Sequence, residues 1–317
     1  MLIAACGRPE HCFLEILNNM IRAIFAVCLS IANSSGFAND KLGLPPLQIP
    51  AANLQTAQKI ALGKSLFFDK RLSADGSISC ASCHQPDKAF SDGAPLAAGM
   101  RGVVGARNTP SLINVAFNPT LFWDGRSISL ERQAVSPLLH PHEHGLRDGE
   151  QLSILIGRDK KYVAAFRSVF GIKKQAIGVA HVSKALASFQ RSLVLGNSPF
   201  DRYAYGNDKS ALDAGAVRGL ELFRGRARCV ACHTIGATHA LFTDFDFHSL
   251  NVGLDKVSSK LAEIVRSAAA FPDPETAILK NAEFAELGRY LITKDPKDIG
   301  KFRTPSLRNV ALTAPYM

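Results

Sequence analysis

One short motif occurs twice in this chain and constrains its fold more than any other feature. Residues 80–84 read CASCH and residues 229–233 read CVACH, so both copies have the form Cys-x-x-Cys-His. Two thiols at this spacing can form thioethers with the vinyl groups of a haem, and the next imidazole then lies beneath the iron. The motifs predict two covalently attached haem c groups, bound by Cys80, Cys83, His84, Cys229, Cys232 and His233, with the two histidines as iron ligands.

Three other uses of these cysteines stay open at this stage: a zinc site with four cysteine ligands, a redox dithiol, and disulfides. A zinc site does not require a histidine directly after the second cysteine of both pairs. A redox dithiol does not require two copies. The haem interpretation is therefore favoured.

The first 38 residues predict an export signal. From Met20, a basic residue at Arg22 is followed by a short apolar stretch over 23–32 and a small-residue site ending at Ala38. We expect the true start at Met20, cleavage after Ala38 and a periplasmic location in a bacterium, where such haems are attached. The stretch is too short to span a bilayer as a helix, so no stable membrane span is expected; a permanent anchor is the alternative. The remaining three cysteines, Cys6, Cys12 and Cys28, lie in this segment.

The composition is that of a folded domain or two, not of a disulfide-stapled miniprotein. Of the 317 residues, 47% are hydrophobic and 20% are charged. The formal net charge is +10, but the basic residues are scattered along the chain. They predict a solvated basic surface and no nucleic-acid partner.

A second repeat accompanies the haem motifs and divides the chain into two modules. Residues 107–116 read RNTPSLINVA, and residues 303–311 read RTPSLRNVA. Helix-spaced apolar residues occur over 57–67, 162–170, 182–193 and 216–223, and we interpret these stripes as core. No β-alternation is evident, so the expected fold is all-α. Residues 196–208 are rich in turn formers and place the boundary near residue 200, between a domain at 39–200 and a domain at 201–317.

Five segments resemble the bacterial dihaem cytochrome c peroxidases and their MauG-like relatives. They read LGKSLFFDKRLSADGSISCASCH, RNTPSLINVAFNPTLFWDGR, NSPFDRY, FTDFDFH and FRTPSLRNVALTAPYM, and the resemblance covers residues 45–317. It implies two cytochrome-c-like domains, an N-terminal one whose haem reacts with peroxide and a C-terminal one that relays electrons. The FTDFDFH segment leans towards the MauG-like branch.

The resemblance also implies roles for single residues. Trp123 matches the inter-haem tryptophan, and Gln133 and Glu143 match the distal pair that moves and orients the proton of bound peroxide. A core aromatic and two solvated polar residues are the alternatives. Asn108, Thr313 and Pro315 match positions that hold a calcium ion through oxygen ligands.

Two departures from the family stand out. Met100 occupies the position of a distal histidine, so we expect an open first haem; ligation by Met100 or by a histidine of the nearby cluster His140, His142 and His144 is the alternative. The resemblance also implies that the C-terminal domain is incomplete, because the family continues beyond Met317 into a helix that supplies the distal ligand of the second haem. In the competing view, His239 or His248 fills that position.

The sequence therefore leaves three candidate functions. The first is a peroxidase that reduces hydrogen peroxide with electrons from a small periplasmic donor, a cytochrome c or a cupredoxin. The second is a MauG-like enzyme that uses peroxide to oxidise a partner protein. The third is a non-catalytic dihaem electron carrier, which needs both irons six-coordinate. A homodimer is left open.

Overall fold

The computed structural model describes residues 40–316, and helices dominate this part of the chain, which confirms a helix-rich fold. The export signal, with its three cysteines, and Met317 lie outside the described residues. The α-helices are α1 (Ala57–Phe67), α2 (Cys80–Cys83), α3 (Leu130–Gln133), α4 (Ser136–Leu139), α5 (Gly149–Arg158), α6 (Lys160–Phe170), α7 (Val179–Ser192), α8 (Pro199–Tyr205), α9 (Ala214–Arg224), α10 (Leu254–Val257), α11 (Leu261–Ala269), α12 (Pro274–Lys280) and α13 (Tyr290–Thr293). Short 3₁₀ helices lie at Ala51–Asn53, Lys70–Leu72, Pro86–Lys88, Met100–Gly102, Val115–Phe117, Lys174–Ala176, Cys229–Ala231, Ser258–Lys260, Ala282–Leu287, Pro296–Asp298 and Val310–Leu312.

The four helices predicted from apolar spacing are α1, α6, α7 and α9, and all four are confirmed. Their ends follow from local chemistry. The Thr56 side chain accepts a hydrogen bond from the Lys59 amide and starts α1, as N-cap residues do. Helix α6 ends at Gly171, whose φ of +67° is the left-handed conformation that glycine adopts without a Cβ penalty.

Two local features lie outside the helices predicted from apolar spacing. The turn-rich segment over 196–208 contains α8, because Ser198 and Asp201 form a capping box around Pro199 in the first turn. The chain also contains a small antiparallel sheet of β1 (Phe247–Ser249) and β2 (Lys301–Arg303). Strands of three residues are too short to show an alternating pattern in the sequence.

Two main hydrophobic cores form in different parts of the chain. The first is built largely from α1, α5, α6 and α7, with Phe67, Phe166 and Leu186 buried at its centre. The second is built from α10 to α13 and the 3₁₀ helix Ala282–Leu287, with Leu287 and Leu291 fully buried. A domain boundary near residue 200 agrees with this distribution and stays a prediction.

Helices α1 and α7 pack closely because one position lacks a side chain. A Cβ on Gly63 would overlap the backbone carbonyl of Ala185, so only glycine allows this approach. The apolar stripe of α9 behaves differently: Leu220 and Phe223 are only half-buried, and no residue of α9 is fully buried. Over residues 40–316, no helix combines the length and the apolar character needed to cross a membrane.

Candidate haem sites

The first Cys-x-x-Cys-His motif opens onto a cavity that also contains the predicted distal pair. Cys80, Cys83 and His84 line this cavity together with Gln133 and Glu143. Gln133 is the last residue of α3, and Glu143 lies in the loop after α4. The fold therefore brings beside the motif two polar groups that follow it by about fifty and about sixty residues in sequence. We call this cavity the first haem site.

The His84 ring is held so that one nitrogen remains available to a metal. Its Nδ1 lies 3.0 Å from the backbone oxygen of Phe90. A carbonyl oxygen only accepts hydrogen bonds, so Nδ1 carries the proton and Nε2 has the free lone pair. Burial lowers the pKa of His84, which favours the neutral imidazole that a metal requires.

The second motif repeats this arrangement. Nδ1 of His233 lies 2.9 Å from the backbone oxygen of Phe242. Phe90 and Phe242 both have left-handed backbones, with φ of 57° and 53°, an uncommon conformation for bulky residues. The same strained residue type holds the same histidine atom in both modules. The donor set fits a c-type haem at each motif, where His84 and His233 would supply the iron ligand through Nε2.

The geometry disfavours the other uses of the cysteines. All four described cysteines are free, so none forms a disulfide. Burial raises the pKa of Cys80 to about 12 and that of Cys83 to about 11, whereas a redox dithiol needs a lowered pKa. Within residues 40–316, Cys232, Asp244 and His248 are close enough together to bind one metal ion, whereas the four cysteines do not form such a group.

Glu143 has the electrostatic character of a proton carrier. Its carboxyl has a pKa raised to about 7 by burial, and the negative charge of Glu275 raises it further, while Arg126 lowers it. The side chain is 48% exposed and is among those that line the first haem site. A carboxyl with a pKa near neutrality can accept and release a proton at working pH.

Of the side chains named as alternative ligands of the first iron, His144 lines the first haem site and Met100 does not. The Met100 thioether packs against Gly145, and Met100 is not among the residues that line the cavity. His142 is exposed, and His140 lies with its Nδ1 3.8 Å from the Glu143 carboxylate. His144 is buried and lines the cavity, with Nδ1 2.8 Å from the Leu72 carbonyl oxygen and Nε2 3.8 Å from the Cys80 sulfur.

Trp123 joins the two sequence repeats. Its ring stacks on Phe302 with ring centres 4.0 Å apart and planes 20° from parallel. Its backbone oxygen accepts a hydrogen bond of 2.9 Å from the Arg303 amide. Next to it, Asp124 is fully buried and pairs with Arg107 at 2.9 Å. The tryptophan is therefore held between the first repeat and the strand that begins the second.

The remaining predicted residues lie near the chain's surface. Asn108 and Pro315 are exposed, and the hydroxyl of Thr313 is 2.6 Å from that of Tyr316; their calcium role stays a prediction. His248 Nε2 donates to the Asp244 carboxylate at 2.8 Å, beside Cys232, and His239 forms a hydrogen bond with Thr238.

Gln190 and Phe67 were not expected at the first haem site, but both line it. Gln190 lies on α7 and Phe67 at the end of α1. Both positions belong to helical segments that the sequence assigns to the core. Apolar spacing does not distinguish a residue that packs against a haem from one that packs against another helix.

Two repeated Cys-x-x-Cys-His sites with matching histidine geometry define a c-type cytochrome with two haems. Comparison with known proteins identifies the family. A profile described as di-haem cytochrome c peroxidase matches residues 57–209. The chain is 38% identical to the cytochrome-c peroxidase IdrP1 of Pseudomonas sp. strain SCT, over 94% of this chain and 78% of that protein. It is 40% identical to the methylamine utilization protein MauG of Methylorubrum extorquens, over 84% of this chain and 66% of that protein.

A solved structure shows the same relationship. The crystal structure of a MauG-like protein associated with microbial copper homeostasis superposes with a TM-score of 0.70 at 33% sequence identity, covering 87% of this chain and 76% of that one. The chain belongs to the di-haem cytochrome c peroxidase family. It is a haem peroxidase, and its family implies two haem c groups, hydrogen peroxide and a redox partner.

Proposed function

We propose that this protein reduces hydrogen peroxide to water in the periplasm, with two electrons taken from a small cytochrome c or cupredoxin. The observation that carries the proposal is the shared cavity of Cys80, Cys83 and His84 with Gln133 and Glu143. A non-catalytic electron carrier has no need for an acid–base pair beside its haem. The first haem is then the peroxidatic one, and the second receives electrons.

Cys80, Cys83 and His84 would hold the haem in this cavity, and the haem would supply the redox chemistry by which peroxide is reduced. Glu143 accepts the proton from the oxygen that binds and returns it to the oxygen that leaves. Gln133 orients the peroxide by hydrogen bonding. Reduction of one peroxide to two waters consumes the donor's two electrons and two protons from solvent, in addition to the peroxide proton that Glu143 moves between the two oxygens. The pKa of about 7 allows Glu143 to perform both transfers.

Trp123 carries electrons between the two haem sites in this proposal. Its stack on Phe302 and its hydrogen bond from Arg303 support the role, because Arg303 is the first residue of the second repeat and Phe302 directly precedes it. A calcium ion bound by Asn108, Thr313 and Pro315 would link the first repeat to the segment that follows the second.

Peroxide-driven oxidation of a partner protein is the second candidate. The similarity to MauG and to a MauG-like structure supports it, whereas the packing of Met100 against Gly145, away from the cavity lining, suits both functions. Incubation with peroxide and no electron donor separates the two functions. A peroxidase then stops after its stored electrons are used, whereas a protein oxidase continues when its partner is added.

The experiment that tests the proposal begins with the mass of the denatured protein after expression with haem-attachment machinery. We expect two haem additions in the wild type, and one in each of the double variants Cys80→Ser/Cys83→Ser and Cys229→Ser/Cys232→Ser, which remove both thiols of a motif. Stopped-flow spectra with peroxide and a reduced small cytochrome c then assign the haems. The variant of the first motif should lose the reaction with peroxide, and the variant of the second motif should lose only donor-driven turnover. The reverse pattern would contradict the assignment of the peroxidatic site.

A further inference from the structure

Arg303 is a buried cation for which no carboxylate partner lies within residues 40–316. The residue is 7% exposed. Its Nε and Nη1 atoms are enclosed by protein and form no hydrogen bond with any described residue. The guanidinium carbon lies 5.8 Å from the ring centre of Phe245. An arginine side chain stays charged in proteins, so its burial without an anion is strongly unfavourable.

Other buried arginines of this chain do have such partners. Arg191 lies 2.7 Å from Glu131, and the nearly inaccessible side chain of Arg308 lies 2.8 Å from Asp201. The fold thus neutralises comparable arginines with its own carboxylates. Arg303 differs from them, and the difference points to an anion supplied from outside the polypeptide.

The backbone around Arg303 places it beside the second haem motif. Arg303 pairs with Phe247 in the small sheet, and the next amide, of Thr304, donates to the Asp246 oxygen at 2.9 Å. These partners belong to the segment that follows the second motif. The same segment contains Phe242, whose oxygen holds Nδ1 of His233.

We propose that Arg303 binds a propionate carboxylate of the haem attached at Cys229 and Cys232, and thereby raises that haem's reduction potential. The proposal rests on attachment of the second haem. Each haem carries two propionates, and the unpaired N–H groups of Arg303 suit charge-assisted hydrogen bonds to a carboxylate. A positive charge near the iron favours the reduced state, because the reduced iron carries one positive charge fewer.

The test measures the reduction potential of each haem in Arg303→Gln, Arg303→Lys and the wild type, by spectroelectrochemical titration. Arg266→Gln is the control, since it removes the same charge from an exposed position on α11. We expect Arg303→Gln to lower the reduction potential of the second haem by about 59 mV, which raises its ratio of oxidised to reduced form about tenfold for one electron. Arg303→Lys should shift it less. The first haem in all variants, and both haems in Arg266→Gln, should stay close to the wild type.

The backbone hydrogen bond from Arg303 to Trp123 survives these substitutions, so the shift reports on the guanidinium. A second-haem potential unchanged in Arg303→Gln, or moved no further than in Arg266→Gln, overturns the proposal, and so does a shift confined to the first haem. If Arg303→Gln loses the second haem, a crystal structure of the loaded wild type decides. A guanidinium beyond hydrogen-bond distance of both propionates of that haem refutes the proposal. A wild-type mass with one haem instead refutes the proposed function.

Discussion

Replacement of Glu143 by glutamine tests the chemistry of the first haem site most directly. Peroxide cleavage needs the carboxylate form, so activity should be full above the pKa of Glu143 and should fall as the pH drops through it. With a pKa of about 7, the deprotonated fraction rises roughly tenfold between pH 6 and pH 8. An ordinary glutamate would be ionised across that whole range and would give a flat profile.

We therefore expect wild-type turnover under limiting peroxide to rise about tenfold from pH 6 to pH 8. Glu143→Gln should lower the plateau by about 10²-fold or more and remove the pH dependence, with both haems retained. Glu275→Gln should move the midpoint to lower pH, since the charge of Glu275 raises the pKa of Glu143. Glu150→Gln, at an exposed position on α5, is the matched control. Normal turnover or an unchanged pH profile in Glu143→Gln would refute the assigned role.

Three further predictions concern packing and electron transfer. Gly63→Ala should lower the free energy of unfolding by about 1–3 kcal/mol, because the new methyl group meets the α7 backbone. Gly219→Ala on α9, where a Cβ meets no atom, should raise the free energy of unfolding by about 0.5–1 kcal/mol. Equal effects of the two substitutions in chemical denaturation would contradict the close crossing of α1 and α7. Asp201→Asn should cost about 3 kcal/mol, since it leaves Arg308 buried without its counter-ion, and a loss below about 1 kcal/mol would show the pair to be unimportant. Trp123→Phe should slow electron transfer between the haems in stopped-flow experiments while peroxide binding at the first haem is unchanged; an unchanged transfer rate would exclude Trp123 from the path.

The sequence alone determined the chemistry of attachment and most of the helices. The Cys-x-x-Cys-His motif is complete within five residues, so no tertiary information is needed to predict a covalent haem there. Helix α6 has its own apolar period, its Asp159 cap and its terminal Gly171, and these local signals decide its extent. The start of α8 within 196–208 is also set locally, because its capping box of Ser198 and Asp201 spans four residues of sequence.

Tertiary structure alone decided which of these local pieces meet. The pairing of Gln133 and Glu143 with the first motif depends on how α3 and α4 pack, and the residues between them carry no signal of that distance. Glu143 acquires its raised pKa only when burial removes it from water. The lack of a carboxylate at Arg303 likewise cannot be predicted from the sequence, because the fold decides which acidic residues lie near it.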